Sequence, residues 1–220
     1  MSSRQEEKEQ RKRERLEREA AERKVAKRKR LLGILAGVVI GAAVIAAVVL
    51  VVLGGGDDDK RDTGDLTAAA KAAGCVVKTF PSEGQGHVTK KLKATDYKTN
   101  PPTSGDHNAT PAPDGIYAPA NEPEIENWVH TLEHGRILIM YGENTPPARI
   151  RQLESLYNEE TLGKPAYHAA LMQSNTDMPF EVAAVAWRNY VGCETFSEGA
   201  LDAMRAFRDV YVDTAPEQVP

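Results

Sequence analysis

Apolar positions in this 220-residue chain form one unbroken block and then a series of short periodic runs. The block is residues 31–53, LLGILAGVVIGAAVIAAVVLVVL, without a charge or a proline. At about 1.5 Å rise per residue it predicts a helix of about 34 Å, enough to cross a hydrocarbon core of about 30 Å as a single transmembrane span. Ahead of it, residues 4–30 set Glu7, Glu9, Glu14 and Glu19 four positions before Arg11, Arg13, Arg18 and Arg23. That spacing predicts a charged, solvated helix with too few apolar residues to pack a face.

After a polar linker at residues 54–65 the runs shorten. Residues 66–73 are Ala-rich and predict one or two helical turns stopped by Gly74, and residues 75–80 carry strand formers. From 81 to 121 no period survives, because Gly, Pro, Asn, Thr, Ser and Asp dominate. So long a stretch in a compact domain is expected to be a functional loop, stiffened by proline and laid over the domain. Residues 121–134, NEPEIENWVHTLEH, regain the helical period. Ile125, Trp128, Val129 and Leu132 stripe one face, Asn121 with Glu124 is placed to cap, Pro123 falls in the first turn, and Gly135 is the stop. A strand is predicted over 136–141 and a helix opened by Thr145-Pro146-Pro147, with Ile150, Leu153 and Tyr157 on one face. Residues 166–173 and 180–187 read as two strands in a hairpin-like pair. Leu201, Met204, Phe207 and Tyr211 mark a last helix capped by Thr195 with Glu198. From residue 121 on the order is αβαββα, and it predicts a small α/β or α+β domain with one sheet over residues 66–212, followed by a frayed tail at 213–220.

Charge decides how this domain sits relative to the span. Residues 1–30 hold 13 Lys and Arg against 7 Asp and Glu, leaving 15 basic and 25 acidic residues for the rest of the chain. The basic flank predicts a cytoplasmic N-terminus and an extracytoplasmic domain at the cell membrane. Lys24, Lys27, Arg28, Lys29 and Arg30, next to the span, are expected to lie on anionic lipid head groups. A cleaved signal peptide fits less well, since the apolar run and the leader are both too long and Gly54-Gly55-Gly56-Asp57 is a poor cleavage site. The acidic exported part argues against nucleic-acid binding. Its two cysteines, Cys75 and Cys193, are expected to form one disulfide in an oxidising compartment, and no CxxC pair suggests thiol redox chemistry.

The segments TNPPTSGDHN, WVHTLEHGRILIMY and AAVAW resemble a bacterial membrane-anchored family catalogued as domain of unknown function 3105. The resemblance covers roughly residues 70–212 and implies one domain behind a membrane anchor. It implies no activity.

The chemistry that stands out is histidine. His130 and His134, four apart, project from the same side of the predicted helix and can chelate one ion, and the long loop can fold over that face to bring His107 as a third donor. Glu133 or Asp106 can complete the shell, and a thiolate-free, His-rich set suits Zn or Cu. Met140, Met172 and Met178 would favour Cu(I) if they approached, but Met140 and Met172 fit strand core better. His87 and His168 show no partner pattern and read as structural. Two alternatives stand beside the metal reading. The domain can be a non-enzymatic interaction module for a protein partner in the envelope. His130-Thr131-Leu132-Glu133-His134 also matches the HxxEH pattern of certain metallopeptidases, although no second acidic helix motif accompanies it. No nucleotide-binding glycine loop or nucleophile elbow is present.

Overall fold

The computed structural model describes residues 63–217 and 219. The charged helix expected over 4–30, the span expected over 31–53 and most of the linker lie outside the described residues. Among the described residues no helix is long and apolar enough to cross a membrane.

The architecture is a mixed α/β fold built on a six-stranded sheet. Its centre is β3 (Ile137–Tyr141), buried at every position. A strand covered on both faces must be apolar at every residue, which is why ILIMY shows no polar alternation. Ile137, Ile139 and Tyr141 pack into one hydrophobic cluster, and Leu138 and Met140 into the other. The same period of two runs through β7 (Val182–Ala186), with Val182, Ala184 and Ala186 on the first face and Ala183 and Val185 on the second.

Strand order is β1-β8-β7-β3-β6-β2. Here β1 is Val76–Thr79, β2 is Gly115–Ile116, β6 is Ala169–Gln173 and β8 is Asn189–Cys193. The pairs β3–β6 and β2–β6 are parallel, and the remaining pairs are antiparallel. A separate two-stranded ladder joins β4 (Glu160–Thr161) to β5 (Lys164–Pro165).

One face of the sheet is covered by α1 (Gly64–Ala73), α3 (Pro147–Tyr157) and α4 (Glu198–Tyr211), which contribute Leu66, Leu153, Leu156, Met204 and Phe207. The other face is covered by α2 (Ile125–Glu133) and the loop before it, through Trp128, Val129, Leu132 and Leu92. Trp128, Val129 and Leu132 are fully enclosed, each worth about 1.5–3 kcal/mol relative to exposure.

Several local expectations are corrected. The segments 166–173 and 180–187 form no hairpin, because β6 and β7 lie on opposite sides of β3. A strand with two buried faces and two free edges recruits one neighbour to each. The hairpin is instead β7–β8, turning at Trp187 and Arg188, with Arg188 at φ +64. Strand β8 has no counterpart in the sequence-based order. Helix α2 starts at Ile125 with Glu124 in the cap position, so Asn121 and Pro123 precede it. The cap of α4 is Ser197, whose hydroxyl accepts the Ala200 N–H at 3.1 Å, in place of Thr195. Helix α1 begins at Gly64, inside the expected linker.

Cys75 and Cys193 are joined by a disulfide. The β1–β8 register sets Val76 opposite Gly192, which brings the two cysteines side by side with Cα atoms 4.3 Å apart.

Candidate metal centre

Helix α2 carries His130 and Glu133 and ends at His134, where Gly135 at φ +80 takes the left-handed conformation that releases the chain. A side chain at Gly135 would also come within 2.8 Å of the Asp213 Cα, so glycine allows the C-terminal segment to approach. Ile125, Trp128, Val129 and Leu132 face the sheet as predicted. The opposite face is not open to solvent, and Glu126, His130, Thr131 and Glu133 are all buried.

The long loop covers them. The Asn108 N–H donates to the Glu126 carbonyl at 3.0 Å, the Ala112 N–H to Asn127 at 3.1 Å, and the Thr131 hydroxyl to the Ala112 carbonyl at 2.8 Å. An earlier limb of the same loop pairs with it: the His107 N–H donates to Gly86 at 2.9 Å and the Val88 N–H to His107 at 2.7 Å. That pairing places His87 beside His107. The rings of His87, His107 and His130 then lie with centroids 4.6–5.1 Å apart, and His134 stands 4.5 Å from His130.

Hydrogen bonds assign the nitrogens. His107 Nδ1 lies 2.8 Å from the Gly105 carbonyl and His130 Nδ1 lies 2.6 Å from the Asn108 carbonyl. A carbonyl only accepts, so both Nδ1 atoms carry the proton and each neutral ring presents its Nε2 lone pair. A ring N–H tied to a backbone carbonyl is the usual support of a metal-binding imidazole. His107 Nε2 is buried without a hydrogen bond: it lies 2.9 Å from Glu133 Oε2, but the pair is not aligned as an N–H···O bond. A lone pair facing a carboxylate oxygen at that distance requires a proton or a cation between them. Burial pushes the Glu133 carboxyl above the usual carboxylate range, and Glu217 adds to the rise. Burial holds the His107 imidazole below its ordinary value, and does the same to His134 with help from His130 and Arg136. Burial therefore favours the neutral form of His107 and His134, the form that binds metal.

Two sets of donors result. His87, His107, His130 and Glu133 each offer an atom within 4.8 Å of the others, and so do His130, His134 and Glu217. Neighbouring donors around a tetrahedral Zn, at bonds of about 2.0–2.1 Å, stand about 3.3 Å apart. His107–Glu133 at 2.9 Å, His130–His134 at 2.9 Å and His134–Glu217 at 3.3 Å are close to that spacing.

Of the residues singled out from sequence, His107, His130 and Glu133 come together in one set, and His134 shares the second with His130. Asp106 belongs to neither and is exposed. Met140, Met172 and Met178 are in the hydrophobic cluster beneath α2. His87, expected to be structural, joins the first set, and Glu217, on which the sequence offers no expectation, joins the second. A Gly-x-Gly-His run in the same loop as His107 was the available signal for His87. For Glu217, in a Pro-containing tail expected to fray, there was none. That tail is tied down, with the Asp213 N–H donating to Gly135 at 2.9 Å and the Glu217 N–H to Glu133 at 3.1 Å. His168 lies elsewhere, paired through Nδ1 with Asp213 and stacked on Tyr167.

A family model described as Protein of unknown function (DUF3105) matches residues 87–219, a stretch that contains every donor of both sets. No curated protein and no solved structure matches the chain.

Proposed function

This chain belongs to the family described as Protein of unknown function (DUF3105), and we propose that it is a membrane-anchored protein whose extracytoplasmic domain binds Zn(II) or Cu(II). The observation that carries the metal reading is the buried His107 Nε2, unpartnered and 2.9 Å from the Glu133 carboxylate, within a cluster of three imidazoles and one carboxylate. An ion between them would relieve the lone-pair repulsion and pair with the buried charge, while Nδ1–H bonds from His107 and His130 already orient both rings. With no sulfur donor in either set, the borderline divalent ions are favoured over Cu(I). The anchor is the apolar stretch 31–53, with its basic flank on anionic lipid.

The two alternatives draw less support. An interaction surface built from these histidines would need them accessible, and His107 and His130 are enclosed. A peptidase would need Glu133 free to activate water, and it is buried among the donors.

The test is elemental analysis of the purified full chain beside a His107→Ala/His130→Ala variant. Near-stoichiometric Zn or Cu in wild type and its loss in the variant is the expected result. Absence of both metals from wild type, even after the ions are added back and excess removed, would overturn it.

A further inference from the structure

The two donor sets are not equivalent in depth. In the first set His107, His130 and Glu133 are buried and only His87 reaches solvent, whereas in the second His134 is partly exposed and the Glu217 side chain is 50% exposed. The sets share His130, and His134 Nε2 lies 2.9 Å from His130 Nε2 and 3.3 Å from Glu217 Oε2. Glu217 reaches this position because the segment after α4 doubles back over the end of α2, with its own N–H on the Glu133 carbonyl. One residue thus holds the strap through its backbone and belongs to the inner set through its side chain.

Resting on the metal reading, we propose that His130, His134 and Glu217 form a loading position, from which the ion passes inward to His87, His107, His130 and Glu133 by ligand exchange with His130 retained. The chemistry is substitution without redox change. Glu217 and His134 leave as His87, His107 and Glu133 arrive, and the imidazole common to both sets keeps the ion from being released between them. Three donors at the loading position and four at the destination give the passage a direction, since each added neutral imidazole or carboxylate strengthens the hold. A half-exposed carboxylate at the rim supplies the first attraction for a hydrated cation. Among the described residues the strap adds no other member to either donor set, its Asp213 being paired with His168, so a change in Glu217 acts on the route before it acts on the destination.

The experiment is stopped-flow loading of Co(II), as a coloured substitute for Zn(II), into the metal-stripped full chain and into Glu217→Gln and His134→Gln. Bound metal at equilibrium is measured in parallel by elemental analysis. Loading is expected to slow about tenfold or more in both variants, with a single ion still bound at equilibrium. Unchanged rates at equal occupancy would overturn the proposal and point to access beside the exposed His87. Loss of the ion from Glu217→Gln would overturn it too, since Glu217 would then belong to the resting site. If wild type binds none of Co(II), Zn(II) and Cu(II), the metal reading itself falls.

Discussion

In a Glu133→Gln variant the side chain keeps its shape and loses the charge that burial disfavours. Without metal, the amide can donate to His107 Nε2, the atom that has no hydrogen bond in wild type. Replacing a buried charge by a neutral isostere that also satisfies its neighbour is expected to leave the metal-free domain as stable as wild type or about 1–2 kcal/mol more stable at pH 7. The sign follows from linkage. The Glu133 carboxyl is raised by burial, so between its ordinary and its native value the folded chain holds more protons than the unfolded one. Stability therefore falls as pH rises through that window, and the variant lacks this fall. With metal the order reverses. At a free Zn concentration of 100 times Kd, wild type gains about 2.7 kcal/mol, which at about 2–4 °C per kcal/mol for a domain of this size raises Tm by about 5–11 °C. If the lost donor weakens binding about 100-fold, the variant at the same free Zn gains only about 0.4 kcal/mol, or about 1–2 °C. Thermal unfolding followed by circular dichroism, first in chelator and then in buffered Zn, reads both effects on one sample. An equal Zn shift in both proteins would refute the assignment of Glu133 as a donor. A metal-free variant weaker than wild type by about 3 kcal/mol or more would show that the carboxylate supports the fold and that its burial has been misjudged.

Other perturbations probe the frame that holds the site. Burial pushes the Glu159 carboxyl up, but Arg205 and Arg208 from α4 hold it below the usual carboxylate range. Its contribution is thus present above the ordinary carboxylate pKa and lost as pH falls through the native value. Glu159→Gln should cost about 1 kcal/mol at pH 7 and flatten the acid limb of a urea-denaturation pH series. Cys75 and Cys193 are 118 positions apart, so Cys75→Ser/Cys193→Ser should lower stability by about 4–5 kcal/mol on the chain-entropy argument; a loss below about 1 kcal/mol in urea would mean that the unfolded chain is already compact. Gly135→Ala meets both the positive φ of +80 and the Asp213 backbone. It should cost about 1–3 kcal/mol, with hydrogen-exchange protection lost first over residues 213–217; uniform loss across the sheet would contradict the local account.

What the sequence determined by itself was local and periodic. The stripe Ile125, Trp128, Val129 and Leu132 was legible because residues three and four apart share a helix face whatever the helix packs on. The positions of His130 and His134 on one helix, and the glycine stop after them, were legible for the same reason. The apolar run at 136–141 announced a strand, though neither its burial on both faces nor its neighbours. Pairing partners depend on which edges are free once the chain has collapsed, so β6 and β7 were joined in sequence order although β3 lies between them. Tertiary structure also decided the membership of the site. His87 arrives by the pairing of two loop limbs, and Glu217 by a strap that returns from beyond the last helix. No period links either residue to α2, because the loop and the tail follow paths set by backbone hydrogen bonds to distant carbonyls. The histidine pair could be read from spacing, and its burial, its carboxylate partners and its two depths only from the way loop and tail close over it.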